Sequence, residues 1–152
     1  MKILNALFFM ILTATVSAAD RPYNEAADAK LDIKQALTQA ATAKIPVIVV
    51  FGANWCGDCR ALDTAMKTGA SAPLLARDFK IVKVDVGQMD KNLDIAKSYG
   101  VPLEKGIPAV VIIATNNEVL YATKAGELAD ARKMGDKAIY EFFKRVTASP
   151  KK

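Results

Sequence analysis

The stretch Phe51–Arg60, FGANWCGDCR, holds both cysteines of the chain and its only tryptophan. Cys56 and Cys59 enclose Gly57 and Asp58, and Trp55 stands directly before them. The run that ends at Phe51, VIVVF from Val47, is continuous, apolar and β-branched, which reads as a buried strand. From Cys56 onward the period becomes helical, with Leu62, Ala65 and Met66 on one face. The cysteines therefore sit where a strand gives way to a helix. There, unpaired backbone N–H groups and the positive end of the helix dipole lower a thiol's pKa. Cys59, one turn on, is spaced to attack a mixed disulfide formed at Cys56. Gly57 keeps the turn between them open.

Composition narrows the chemistry. Structural zinc takes four ligands, mostly Cys and His, and this chain has two cysteines and no histidine. The same lack removes a Cys–His nucleophile pair. Two thiolates suffice for Cu(I), so a copper carrier stays open beside a redox couple. A structural disulfide is the third reading, although so short a loop gives the least entropic stabilisation. A redox couple is the leading reading, and it needs no bound cofactor and no metal. Lys and Arg number 21 against 16 Asp and Glu, for a formal charge of +5. No basic run exceeds Lys151-Lys152, so scattered solvated lysines are expected, with no nucleic-acid partner.

The N-terminal residues speak to the compartment. Met1-Lys2 is a short positive region, Ile3–Val16 is apolar, and Ser17-Ala18-Ala19 supplies small residues for cleavage after Ala18 or Ala19. Residues 1–19 thus read as a secretory signal, and residues 20–152 as one domain. The apolar run falls short of the roughly 20 residues that span a bilayer. No cysteine lies near the cleavage site to carry a lipid. The mature chain is expected in the periplasm, without a stable membrane anchor, where disulfides persist.

Along the rest of the chain, Asp28–Lys44 has helical spacing at Ile33, Ala36, Leu37 and Ala40. Gly69 is a stop for the helix that starts near Cys56, and Ser71 is expected to cap a short helix through Arg77. Phe79–Val86 reads as a second strand. Asp90 is expected to cap a helix carrying Leu93, Ala96 and Tyr99, ended by Gly100. Ala109–Ala114 is a third strand, and Val119–Thr123 a fourth at the sheet edge after an Asn116-Asn117 turn. A last helix is expected from about Gly135 to Val146, with Ile139, Phe142, Phe143 and Val146 on one face. The order predicts an α/β fold with a mixed central sheet of about four strands flanked by helices. The first two strands should be parallel and the last two a hairpin.

WCGDC after a buried strand, followed by Gly106-Ile107-Pro108 before another strand, resembles the thioredoxin superfamily over about Ile45–Val146. That resemblance implies an exported, bacterial thiol–disulfide oxidoreductase of thioredoxin-like fold. It implies Cys56 as the attacking and Cys59 as the resolving cysteine, with Trp55, Gly57 and Asp58 flanking them. It implies a cis Pro108 against the sulfurs, with the Ile107 backbone available to an extended substrate. The partners implied are disulfides of exported proteins and a membrane thiol–disulfide electron donor. A disulfide-forming oxidase would use the same residues.

Three features depart from the family pattern. Asp58 stands where thioredoxin has proline and the oxidases have histidine. A carboxylate there opposes thiolate formation at Cys56, which argues for a reducing couple; a helix-capping role is the plainer alternative. The buried aspartate expected six residues before the first cysteine is Val50 here, whereas Lys83 matches the family's lysine. The loop before Gly106 is longer, so Glu104 or Lys105 is placed to lean over the site, with solvated loop charges the plainer reading.

Overall fold

The computed structural model describes residues 21–148. The signal peptide read in residues 1–19 lies outside the described residues. Helix α1 spans Ala29–Ala43, held at its start by Asp28, whose side chain accepts from the Leu31 N–H, and closed by Lys44 in the left-handed region. Strand β1, Val47–Gly52, is buried along its whole length. Helix α2 covers Gly57–Thr68 and α3 covers Ala72–Asp78, before strand β2, Lys80–Asp85. Helix α4, Leu93–Ser98, and a 3-10 turn, Leu103–Lys105, lead to strands β3, Ala109–Ile113, and β4, Val119–Ala122. Helix α5, Ala131–Thr147, closes the chain.

The four strands lie in the order β2-β1-β3-β4. β1 runs parallel to β2 and antiparallel to β3, and β3 and β4 form an antiparallel hairpin with an irregularity at Ile112/Ile113. The α/β fold with a mixed four-stranded sheet is therefore as expected.

Strand alternation divides the core into two layers. Val47, Val49 and Phe51 pack with α1, α4 and Tyr23, whereas Ile48 and Val50 pack with Leu62 and Met66 of α2, Leu75 of α3 and Phe142 and Phe143 of α5. β1, between β2 and β3 and covered on both faces, fixes where its C-terminal end delivers the cysteine pair.

Three local expectations are corrected. Ser71 does not cap α3 with its side chain; its backbone is already helical, and its hydroxyl donates to the Ala65 carbonyl at 3.1 Å. Asp90 does not cap α4. Its carboxylate accepts from the Gln88 N–H, and the cap position belongs to Asn92 in the left-handed region, which asparagine tolerates. The last helix includes a turn before Gly135, which sits at φ 71° and ψ 166° as a kink inside α5. Glycine adopts that backbone without strain, and the turn before it carries a residue of the site, Arg132.

Candidate active site

β1 ends at Gly52, and four residues later Cys56 occupies the N-cap of α2 with extended backbone, φ −76° and ψ 111°. Its sulfur takes the place of a capping oxygen and accepts from the Cys59 N–H at 3.1 Å. Cys56 and Cys59 are joined in a disulfide, with their Cα atoms 5.2 Å apart. Cys56 is 6% exposed and Cys59 is fully buried, so of the two residues only Cys56 keeps any contact with solvent.

Two loops flank the Cys56 sulfur. The Ile107 carbonyl oxygen lies 3.7 Å from Cys56 Sγ, and the Ile107–Pro108 peptide bond is cis. Gly106 before it has φ 115°, and a Cβ there would meet the Ala129 side chain at 2.6 Å, so the loop needs glycine at this point. On the other side the Trp55 indole is half exposed and donates to the Gly87 carbonyl at 2.7 Å. An apolar groove of about 640 Å³ lies between the segment that follows Gly87 and the loop that precedes Gly106, lined by Met89, Leu93, Val101, Pro102, Leu103 and Glu104. Glu104 thus stands at that groove.

Asp58, between the cysteines, faces Arg132 at the start of α5. The carboxylate accepts from the Arg132 backbone N–H at 3.0 Å, from Nε at 3.2 Å and from Nη2 at 3.1 Å. Burial alone would raise the Asp58 carboxyl, but the hydrogen bonds and charge of Arg132 hold it below the usual carboxylate range. The same guanidinium covers Gly57, where a Cβ would come within 3.0 Å of it. The carboxylate therefore does not act alone on Cys56; a cation spans the Gly57-Asp58 dipeptide. No local pattern announces this pairing, because 74 positions separate the partners.

Behind the pair, Val50 leaves no acid on β1, and it is in register with Lys83 of β2. Lys83 instead pairs with Asp63 of α2, whose side chain is 1% exposed. Asp63 follows Cys59 by four residues, one helical turn along the same face, and Lys67 reaches its second oxygen at 2.7 Å. The buried acid has moved from the strand to the helix. Its signal was available in the sequence: an aspartate between Leu62 and the Ala65-Met66 pair, too close to the apolar stripe to face water fully.

Asn54 is a third supporting residue absent from the sequence reading, after Arg132 and Asp63. It is 9% exposed and grips the N-terminal segment, its Oδ1 accepting from the Tyr23 N–H at 3.0 Å and its Nδ2 donating to the Tyr23 carbonyl at 2.8 Å. Arg60 in turn holds the Asn54 carbonyl at 3.0 Å. The turn that presents Trp55 and Cys56 is thus braced from both sides.

A sulfur at a helix N-terminus, a second sulfur sealed one turn behind it and a fold of this topology define a thiol–disulfide oxidoreductase. The chain belongs to the thioredoxin-like family: the family model described by that term matches residues 27–115. A thioredoxin from Pseudomonas aeruginosa is 33% identical over 94 residues, covering 57% of this chain and 71% of that protein. Among solved structures, the disulphide isomerase from Xylella fastidiosa Temecula1 is 48% identical, with a TM-score of 0.81 over 86% of this chain and 99% of the other. A thioredoxin from Thermus thermophilus, 20% identical, shares the fold with a TM-score of 0.51 over 75% of this chain and 80% of its own.

Proposed function

We propose that this chain, freed of residues 1–19, works in the periplasm to reduce or exchange disulfides in exported proteins. In that reading Cys56 attacks a substrate disulfide and forms a mixed disulfide. Cys59 then attacks Cys56 Sγ, and the substrate leaves as a thiol. Trp55, Gly57, Asp58, Ile107 and Pro108 shape the approach, and a membrane thiol–disulfide donor returns electrons to the pair. The observation that carries the reading is the asymmetry of the two cysteines, one keeping contact with solvent beside the Ile107 carbonyl and the other fully buried. The 48% identity to a disulphide isomerase supports exchange as part of the activity. Among the described residues no helix is long and apolar enough to cross a membrane, which is compatible with release after cleavage.

One observation favours an oxidase as the second reading. The Arg132 guanidinium over Gly57 offsets the Asp58 charge beside Cys56 and so removes an obstacle to its thiolate, and a stabilised thiolate makes the disulfide more oxidising. Equilibration with glutathione separates the two. A potential of about −270 mV is expected for the reductive reading, and one of about −120 mV would replace it with the oxidase. Mass spectrometry of the export fraction tests the first step, with loss of residues 1–19 expected.

A further inference from the structure

Resolution of a mixed disulfide requires a thiolate at Cys59, yet this sulfur is fully buried. A buried thiol in apolar surroundings holds its proton more tightly than a free one, so the proton needs a path out. The Cys59 sulfur is not, however, surrounded by hydrocarbon alone. Gly52, at the end of β1, has no side chain, and the space where its Cβ would stand is taken from two sides. The Tyr23 hydroxyl and Cys59 Sγ both lie within 2.9 Å of that point. Tyr23 is 2% exposed, and its backbone is clamped by Asn54, two residues before Cys56. The phenol is therefore brought to the buried sulfur by the turn that carries Cys56.

The next group outward is Asp85. It is the β2 partner of Gly52 in the parallel register, so its backbone lies beside the point where the phenol ends. Asp85 is 5% exposed, and its Oδ2 accepts from the Gly87 N–H at 3.1 Å. It also lines a polar cavity of about 300 Å³ together with Asn24, Glu25, Lys83, Lys91 and Asn92. A cavity of that size with such walls holds water. The cavity joins Asp85 to solvent.

We propose that the Tyr23 hydroxyl and the Asp85 carboxylate form the route by which the Cys59 thiol loses its proton during resolution. This rests on the oxidoreductase reading above. As Cys59 Sγ attacks Cys56 Sγ, its proton passes to Tyr23 Oη, and the phenolic proton passes to the Asp85 carboxylate. The Cys56–Cys59 bond forms, the bond from Cys56 to the substrate sulfur breaks, and that sulfur leaves with the electron pair to take a proton from water. Asp85 returns its proton to water in the cavity. Two electrons have moved from the cysteine pair to the substrate disulfide, and the phenol is neutral before and after. Burial first, and the Asp85 charge second, push the Tyr23 phenol far above its ordinary value. It passes a proton on and does not act as a phenolate base. The charged and titratable groups around the path are Asp85 and Lys83 on β2, Asp63 on α2, Glu25 in the N-terminal segment and Lys91 after β2.

The test uses reduced protein mixed with oxidised glutathione, quenched in acid at intervals and read by mass spectrometry. In the parent, glutathione at Cys56 forms and then disappears as Cys59 closes the pair. Tyr23→Phe keeps the ring and removes the hydroxyl. It is expected to form the mixed disulfide at the parent rate but to resolve it about a hundredfold more slowly at pH 7, the low end of what proton-transfer groups contribute. The deficit should shrink only as pH rises well above about 8.5, the value of an ordinary thiol, where the buried Cys59 thiol begins to ionise unaided. Asp85→Asn should behave alike, and Tyr23→Phe decides the matter alone if that variant does not fold. A resolution rate within twofold of the parent in folded Tyr23→Phe overturns the relay. So does a deficit that is the same at every pH, because it marks damage to packing. If no mixed disulfide appears at Cys56 in the parent, the oxidoreductase reading falls, and the relay with it.

Discussion

Asp58 and Arg132 form a closed pair beside the disulfide: both carboxylate oxygens and both the backbone and guanidinium N–H groups take part, at 3.0–3.2 Å. Asp58 therefore does not set the charge beside Cys56 by itself. The pair predicts opposite shifts in redox potential. Arg132→Gln leaves the carboxylate uncompensated, raises the pKa of Cys56 and makes the couple more reducing. Asp58→Asn leaves the guanidinium over Gly57 and makes the couple more oxidising. Each shift should be about 10–30 mV, where roughly 30 mV corresponds to 1.4 kcal/mol for two electrons. The double variant should return near the parent. Glutathione equilibration reads all four proteins, and shifts of the same sign in the two single variants would contradict the pairing.

The same pair has an acid limb. Against burial, Arg132 holds the Asp58 carboxyl below its ordinary value. A carboxylate whose pKa is depressed by folding stabilises the fold above its unfolded value, about 3.9, and that stability is lost as pH falls through the folded value. Arg132 is 66% exposed, so solvent screens the effect and it is small. Thermal melts from pH 6 down to pH 2 should show Asp58→Asn losing less melting temperature than the parent over the acid range. Identical slopes would mean that the pair contributes nothing to folding.

Most of the fold was legible because its signals are local. VIVVF, the helical faces of Ile33–Ala40 and Ile139–Val146, and the hairpin turn at Asn116-Asn117 each carry their pattern within a dozen residues. The cysteine pair and Trp55 were legible for the same reason. The supporting residues were not. Arg132 reaches Asp58 across 74 positions and Asn54 reaches Tyr23 across 31, and nothing in the local pattern of either partner announces the other. Val50 could be seen to lack a carboxylate and Asp63 to lie beside an apolar stripe, but that Asp63 meets Lys83 depends on how α2 lies over β2. The misplaced caps have two causes: Asp90 stands two residues before the cap position, which left-handed Asn92 occupies, and Ser71 holds its cap position with helical backbone and gives its hydroxyl to the Ala65 carbonyl.

Lys83 and Asp63 illustrate the energetics of the relocated acid. The Asp63 side chain is 1% exposed, and Lys83 and Lys67 share its two oxygens. Lys83→Met removes one of the two partners and leaves Lys67 on the other oxygen, which is expected to destabilise the protein by about 1–3 kcal/mol. Asp63→Leu with Lys83→Met removes both charges together and should recover most of that loss, because an apolar pair of similar volume is often tolerated. Urea unfolding of the two variants and the parent measures it. A double variant no more stable than Lys83→Met would show that Asp63 is not the charge left stranded.

The division of labour between the sulfurs gives the last expectation. Cys56 borders solvent at the N-terminus of a 12-residue helix, where its sulfur already accepts one backbone N–H. Those N–H groups and the helix dipole stabilise a thiolate there. Cys59 is fully buried one turn on, where no incoming disulfide can reach it before Cys56 has reacted. Limiting iodoacetamide on reduced protein should therefore label Cys56 first, with Cys59 modified more than tenfold more slowly. Cys59→Ala leaves the attacking thiol without its resolving partner, so mixed disulfides with substrate proteins should accumulate and run as higher-mass bands that reductant collapses. Cys56→Ala should trap few, since the remaining thiol is sealed beneath Gly52 and Tyr23. Trapping by Cys56→Ala equal to that by Cys59→Ala, or first labelling at Cys59, would reverse the roles. It would also remove the reason for a proton route to the buried sulfur.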